Sequence, residues 1–154
     1  SLSAYGESGP WGGKRGFDSL VQTATGFNAA EAEAAGGDQP RPLPLQILDH
    51  ASGYLLAWGI LMALLRQADE GGSWQVAVSL ARTGHWLRGL GRVAGGLDCP
   101  DLPHGAVGDR LYDADSAFGR LTAVRHAATL SRTPPAWTAP EPYGSSPACW
   151  AKPD

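Results

Sequence analysis

The sequence has few cysteines, no cluster of basic residues and no apolar run of membrane-spanning length. Cys99 and Cys149 are the only cysteines, and neither belongs to a CxxC motif, so a cysteine-ligated metal site has no support. A disulfide between them is less favoured than two free thiols in a reducing cytosol, which predicts a cytoplasmic protein. The longest uncharged run, residues 51–65, has 15 residues, whereas a membrane-spanning helix needs about 20. We therefore interpret this run as a core helix and expect no membrane partner.

The charge pattern argues against nucleic-acid binding and against a metal site. Lys and Arg number 12 against 15 Asp and Glu, and the basic residues are scattered along the chain. The four histidines show no HxxxH spacing and no accompanying acidic cluster, so no metal ligand set is expected. A GxSxG motif is also absent from the sequence, which removes the simplest hydrolase interpretation.

The remaining composition indicates a loop-rich globular protein. Hydrophobic residues make up 43% and charged residues 18% of the chain, with 21 Gly and 12 Pro. A length of 154 residues suffices for one ordinary domain or for a piece of a larger one. Because the first residues, SLSAYGESGPWGG, have the pattern of a strand end followed by a turn-rich loop, we expect a fragment.

The predicted elements alternate between helices and extended segments. In chain order they are a helix from Phe17 to about Gly26, a short helix over 28–35, an extended Pro-rich stretch over 40–44, a long helix from Asp49 or His50 to about Gln67, a strand over 73–81, and a helix over 83–93 capped by Thr83. Residues 95–119 show little periodicity, and residues 121–130 fit a strand or a short helix. In the Pro-rich tail, Trp137 and Trp150 favour packing on a neighbouring domain over a free polyproline ligand.

Asp49 is a single carboxylate placed where the long apolar helix is predicted to begin. An aspartate at this point is a favoured N-cap, since its oxygen accepts a backbone N–H and its charge suits the positive end of the helix. A carboxylate in the same place is also a candidate nucleophile, because helix amides and apolar surroundings set its reactivity. The residues alone leave both interpretations open. His50 points about 100° away around the helix, so an Asp–His dyad is not favoured.

Arg15 is a second candidate. It follows Lys14 in a loop that contains Gly12, Gly13 and Gly16. A glycine loop of this kind lets a basic side chain approach a phosphate, although a solvated basic pair is the simpler interpretation.

Five separated pieces of the sequence together resemble the class III CoA-transferase family. In order they are SAYGESGPW, RGFDSLVQTATG, PLPLQILDHASGYLLAWGILMALL, EGGSWQVAVSLARTGHWL and the terminal RHAATLSRTPPAWTAPEPYG. The family includes formyl-CoA transferase, carnitine CoA-transferase and alpha-methylacyl-CoA racemase. The resemblance is close from Ser3 to about Val93 and covers the tail more loosely.

The resemblance implies an α/β fold. The chain is expected to be a C-terminal fragment of the family's nucleotide-binding-like large domain, with a long helix, then a strand, and an extended Pro-rich C-terminal tail. It implies three segments: 1–94 as the large-domain core with the nucleophile helix, 95–120 as a Gly/Pro-rich connection in place of the small domain, and 121–154 as the return segment and tail. It also implies an interlocked homodimer in the complete enzyme.

The resemblance further implies a site. Asp49 matches the family's nucleophile, which forms an aspartyl-CoA thioester while CoA passes from an acyl-CoA to a carboxylic acid, without a metal. Arg15 matches a basic residue near the CoA phosphates, and Phe17 is assigned with it to the CoA-binding region. Epimerising relatives have a histidine where Phe17 stands, so a racemase is the less favoured alternative. A non-catalytic acyl-CoA-binding relative is the third. The acyl donor and the acceptor acid are not implied.

Overall fold

The structure is a computed structural model that describes residues 1–136 and 138–150. Trp137 and residues 151–154 lie outside the described residues, and so does the expectation that Trp137 is packed on a neighbouring domain. The chain divides into two compact units, Ser1–Asp98 and Cys99–Asp154, and each is treated by itself.

The first unit combines helices with a pair of short parallel strands. Its elements are β1 (Leu2–Ser3), α1 (Asp18–Ala24), α2 (Phe27–Ala34), α3 (Ile47–Glu70), β2 (Val78–Ser79), α4 (Leu80–Gly89) and a 3₁₀ turn (Gly96–Asp98). β1 pairs in parallel with β2, so that Leu2 lies opposite Val78 and Ser3 opposite Ser79. The predicted α/β class is confirmed for this part of the chain.

Both predicted N-terminal helices are present, with ends shifted by one or two residues. Phe17 is the N-cap of α1 and has an extended backbone, with φ −99° and ψ 165°, so the helix begins at Asp18. Gly26 separates α1 from α2 in the left-handed region, with φ 74° and ψ 16°, where a side chain would be strained.

The core of the first unit lies where its four helices meet. The buried apolar cluster takes one residue from each helix: Val21, Phe27, Leu48 and Leu80. Val21 and Leu48 are completely buried. Beside this cluster, the buried hydroxyls of Ser52 and Thr83 share a hydrogen bond of 2.7 Å that links α3 to α4. The start of α3 is therefore held on its inner face.

The long helix was predicted to begin at Asp49 or His50 and to be a core helix; both points need correction. α3 begins two residues earlier, at Ile47, because Asp49 does not cap it but lies in its first turn. Only Leu48 and Ser52 of α3 are buried. Most of its later apolar side chains are exposed, among them Tyr54, Trp58, Leu61 and Leu65. Residues 1–98 therefore leave these side chains uncovered.

α3 also exceeds the length inferred from the uncharged run. It has 24 residues, and its most apolar window has a mean hydropathy of 1.4 with 11% of that window buried. By length and composition alone this helix is sufficient to cross a membrane, a test that core helices of globular proteins also pass. Its first two turns nevertheless pack in the core described above.

The predicted strand over 73–81 is too long, and the predicted cap at Thr83 is in the wrong place. Strand pairing is confined to Val78–Ser79. Ser79 caps α4 instead, because its backbone is extended and its Oγ accepts the Arg82 N–H at 3.3 Å. Thr83 lies inside α4, where its hydroxyl forms a hydrogen bond with the hydroxyl of Ser52.

The second unit contains a β-hairpin that the sequence pattern did not predict. A 3₁₀ helix at His104–Arg110 is followed by β3 (Leu111–Ser116) and β4 (Gly119–Val124), which pair antiparallel from Leu111–Val124 to Ser116–Gly119. Within 121–130, the strand alternative is correct as far as Val124. Cys99 and Cys149 are free and exposed. Trp150, expected to be packed, is 97% exposed.

The hairpin carries an acid-sensitive contact at Asp113. Thr122 Oγ1 donates to Asp113 Oδ1 at 2.7 Å, and Arg120 Nη2 donates to Oδ2 at 2.8 Å. The hydrogen bond from Thr122, then the guanidinium of Arg120, lowers the pKa of Asp113 below its ordinary value of 3.8. Because the pKa of Asp113 is lower in the folded state, the ionised carboxylate stabilises the hairpin at pH values above its ordinary pKa. This contribution is lost as the pH falls through the folded-state pKa.

We expect a carboxyl-carbon NMR titration of Asp113 to give a midpoint below the ordinary aspartate value. Thr122→Val removes the hydrogen bond that lowers this pKa most and should move that midpoint upward. A wild-type midpoint at or above the ordinary value would contradict the assigned contacts.

Candidate active site

Asp49 presents a carboxylate that is not engaged by the rest of the described chain. It is the third residue of α3 and is exposed. Among residues 1–136 and 138–150, its side chain takes part in no hydrogen bond or ion pair. Its backbone is held, however, because the Asp49 N–H donates to Asp18 Oδ2 at 2.9 Å. An acid with a fixed backbone and a free carboxylate is suited to nucleophilic attack.

Asp18 and Gln22, which were not predicted from the sequence, hold the backbone at and before Asp49 by hydrogen bonds. Asp18 is only 1% exposed, and its Oδ1 accepts a hydrogen bond from Gln22 Nε2. Gln22 is 2% exposed and also reaches the segment before α3. Its Oε1 accepts the Leu43 N–H at 3.2 Å, and its Nε2 donates to the Leu45 carbonyl at 3.3 Å. The available signal in the sequence was the i, i+4 spacing of these two polar residues in α1.

Arg15 and Phe17 lie on the chain just before Asp18. Since consecutive Cα atoms are about 3.8 Å apart, Arg15 is within about 11 Å of Asp18 along the backbone and Phe17 is its direct neighbour. A surface pocket of about 680 Å³ is lined by Lys14, Arg15 and Phe17 together with parts of 2–7, Gly13 and Gly16. Phe17 is 78% exposed there. Lys14 Nζ lies 5.4 Å from the centre of the Trp11 ring and makes a cation–π contact with it.

The structure relates Asp49 to Phe17 through one buried residue, and within the described residues Arg15 makes no hydrogen bond or ion pair with either aspartate. Asp49 does not line the pocket beside Arg15 and Phe17. The link is Asp18, which follows Phe17 in sequence and accepts from the Asp49 N–H. His50 is exposed and adjacent to Asp49. In the part of the chain that the structure describes, no three His, Cys, Asp or Glu side chains are grouped as metal ligands.

The family profile described as CoA-transferase family III matches residues 1–91. The chain belongs to CoA-transferase family III. The match contains both helices that build the site, and it ends just beyond α4.

Curated relatives of this family align with part of the chain. A probable fatty acyl-CoA transferase of Mycobacterium tuberculosis, Rv3272, is 37% identical over 70 residues, which are 46% of this chain and 17% of that protein. The acetyl-coenzyme A transferase nodX of Hypoxylon pulicicidum is 29% identical over 85 residues, which are 55% of this chain and 14% of that protein. The matched part of the chain therefore spans about a sixth of the first relative and about a seventh of the second.

Solved structures agree with this placement. A crystal structure of Rv3272 from Mycobacterium tuberculosis aligns with a TM-score of 0.51 and 31% identity, covering 58% of this chain and 25% of that one. An orthorhombic form of the same protein gives a TM-score of 0.51 and 32% identity over the same shares. The likeness supports an α/β fragment of the family fold over the aligned part of the chain.

Proposed function

We propose that this chain carries the nucleophile of an acyl-CoA:carboxylate CoA-transferase and that Asp49 is that nucleophile. The observation that carries the proposal is the geometry of Asp49: an exposed, unengaged carboxylate in the first turn of α3 whose backbone N–H is fixed by Asp18. The matched family and the names of its two curated relatives support CoA transfer as the reaction class.

The proposed reaction exchanges one thioester for another. The Asp49 carboxylate attacks the acyl-CoA carbonyl, the C–S bond breaks, and a mixed anhydride and CoA thiolate result. The thiolate then attacks the aspartyl carbonyl, which releases the donor acid and leaves an aspartyl-CoA thioester.

The second half repeats these steps with the acceptor. Its carboxylate attacks the aspartyl thioester, CoA thiolate leaves, and the thiolate attacks the acceptor carbonyl of the new anhydride. This gives the acceptor acyl-CoA and returns Asp49 as a carboxylate. Because the reaction begins and ends with a thioester, it needs neither ATP nor a metal; the protein supplies positioning and stabilises the oxyanions.

Arg15 and Phe17 are proposed to contact the CoA portion of the substrate. The guanidinium suits a phosphate group, and the exposed Phe17 ring offers an apolar face beside it. Phe17 carries no ionisable group, which disfavours a two-base racemase at this position.

We expect Arg15→Gln in the full-length protein to raise the KM for acyl-CoA about 10-fold, because a charged hydrogen bond to phosphate is lost, and to leave kcat within about twofold. Steady-state kinetics measures both values. Arg132→Gln, an exposed arginine of the second unit, is the matched control and should change neither. An unchanged KM in Arg15→Gln would remove Arg15 from the substrate site.

The reaction class is tested by incubating the full-length protein with acyl-CoAs and carboxylic acids in deuterium oxide. Formation of a new acyl-CoA without deuterium at the α-carbon supports the transferase. Deuterium incorporation without CoA transfer identifies a racemase or epimerase, and CoA binding with neither outcome identifies a non-catalytic binder.

The assembly, location and segment roles are proposals of the same kind. A homodimer in the cytoplasm, with 1–94 as core, 95–120 as connection and 121–154 as return segment, accords with the family. Light scattering of the full-length protein tests the dimer.

A further inference from the structure

We propose that Asp18 is a positioning residue for the nucleophile, acting with Gln22 to fix the first turn of α3. The inference rests on the proposed role of Asp49. It concerns how the chain holds that residue, and it assigns a function to a buried carboxylate that the reaction itself does not use.

The two oxygens of Asp18 have different partners. Oδ2 accepts the backbone N–H of Asp49, 31 residues away, and Oδ1 accepts from Gln22 Nε2. Asp18 therefore does for α3 what an N-cap side chain does for its own helix, since it satisfies an N–H of the first turn. The local cap position gives no such bond, because Gln46 makes no side-chain capping contact.

The burial of Asp18 makes both hydrogen bonds important. A carboxylate that is 1% exposed is costly unless each oxygen is satisfied, and the positive end of α3 adds to its stabilisation. Loss of either donor leaves a desolvated acceptor, so the geometry of α1 and α3 is coupled through this group.

Gln22 extends the support to the chain that enters α3. Its amide bridges the Leu43 N–H and the Leu45 carbonyl while it donates to Asp18. The segment before the helix and the first turn of the helix are thus tied to the same face of α1. The Asp49 backbone is fixed from below, while its carboxylate remains free to reach a thioester.

Misplacement of a reacting group by about 1 Å costs about 100-fold in rate. A loosened first turn of α3 should therefore reduce turnover without changing how the remote parts of acyl-CoA are held. This separates a positioning role from a substrate contact, which would raise KM.

The test uses a donor–acceptor swap in the full-length protein. Asp18→Asn keeps one acceptor oxygen but turns the other position into a donor, which opposes either Gln22 Nε2 or the Asp49 N–H. Asp18→Asn combined with Gln22→Glu supplies an acceptor opposite the new amide and restores the contact between positions 18 and 22, but it removes the donor to the Leu45 carbonyl. Gln22→Glu alone sets two carboxylates against each other.

We expect Asp18→Asn to lower kcat per active site about 10- to 100-fold, with the KM for acyl-CoA within about twofold. The double variant should recover part of the lost kcat and stay below wild type, because the bond to the Leu45 carbonyl is missing, and Gln22→Glu alone should be impaired. Active-site titration corrects for unfolded protein, so a purely structural role would leave kcat per active site unchanged. That result, or a double variant no better than Asp18→Asn, overturns the proposal.

If Asp18→Asn does not fold, Gln22→Met replaces it. This variant keeps the Asp18–Asp49 bond and the side-chain length but removes the amide, and we expect a 3- to 10-fold lower kcat; an unchanged kcat overturns the proposal. Asp49→Asn runs in parallel: if it retains full transfer, the proposed function fails, whereas loss in Asp49→Asn with unchanged kcat in the Asp18 and Gln22 variants defeats only the positioning role.

Discussion

Asp49→Asn in the full-length protein is expected to lower CoA transfer by about 10³-fold or more, because an amide oxygen does not act as the attacking nucleophile. The fold should be retained. The Asp49 side chain is exposed and makes no hydrogen bond or ion pair within the described residues, and the backbone N–H that donates to Asp18 is present in both aspartate and asparagine. Transfer from acyl-CoA to a carboxylic acid, measured by chromatography, gives the rate.

The matched control is Asp69→Asn, the same change in an exposed residue near the other end of α3. It should leave transfer within about twofold of wild type, as is usual for surface substitutions. Equal activity in the Asp49 and Asp69 variants would contradict a nucleophilic role for Asp49.

The second large effect is on stability. Leu48→Ala is expected to lower the free energy of unfolding by about 2–5 kcal/mol, because it leaves a cavity among Val21, Phe27 and Leu80. Leu48 is fully buried and packs closely against Gly84, since a Cβ placed on Gly84 would lie only 3.3 Å from Leu48 Cδ2. We therefore expect the neighbouring atoms to fill the cavity only in part. Urea unfolding followed by circular dichroism measures the change.

Leu90→Ala is the control, because Leu90 is 66% exposed at the end of α4. The expected change is under about 0.5 kcal/mol. If Leu48→Ala were as mild as Leu90→Ala, the four-helix core described for residues 1–98 would be wrong.

Features of the fold that depend on neighbouring residues were predictable from the sequence. The apolar spacing after Phe17 and the uncharged run after Asp49 predict α1 and α3 because helix periodicity is local. Their ends were less predictable. α4 begins at the Ser79 cap rather than at Thr83, since Thr83 is used by a buried partner from another helix.

Features that depend on distant residues could not be read in the same way. β1 is a strand only because it pairs with residues 76 positions later, and each strand has two residues. The apolar composition of α3 predicted that its side chains are buried. Whether they are buried depends on which residues pack against the helix, and composition does not give that. The β3–β4 hairpin was missed because its small and acidic residues give a weak alternating pattern.

Some residues of the candidate site were identified from the sequence, and others only from the structure. Asp49, Arg15 and Phe17 were identified in the sequence through the family resemblance. Asp18 and Gln22 were not, because their role lies in hydrogen bonds that span 21 to 31 residues. The i, i+4 spacing of the two residues is visible in the sequence, but neither hydropathy nor spacing indicates that a buried carboxylate accepts a backbone N–H from another helix.

The central claim is that Asp49 becomes covalently attached to CoA. The most direct test is mass spectrometry of the full-length protein after incubation with a panel of acyl-CoAs, followed by digestion and identification of the peptide that contains Asp49. We predict a CoA-sized adduct on Asp49 that hydroxylamine removes. CoA bound tightly to the protein, with no adduct on this peptide for any acyl-CoA that the protein turns over, would contradict the claim.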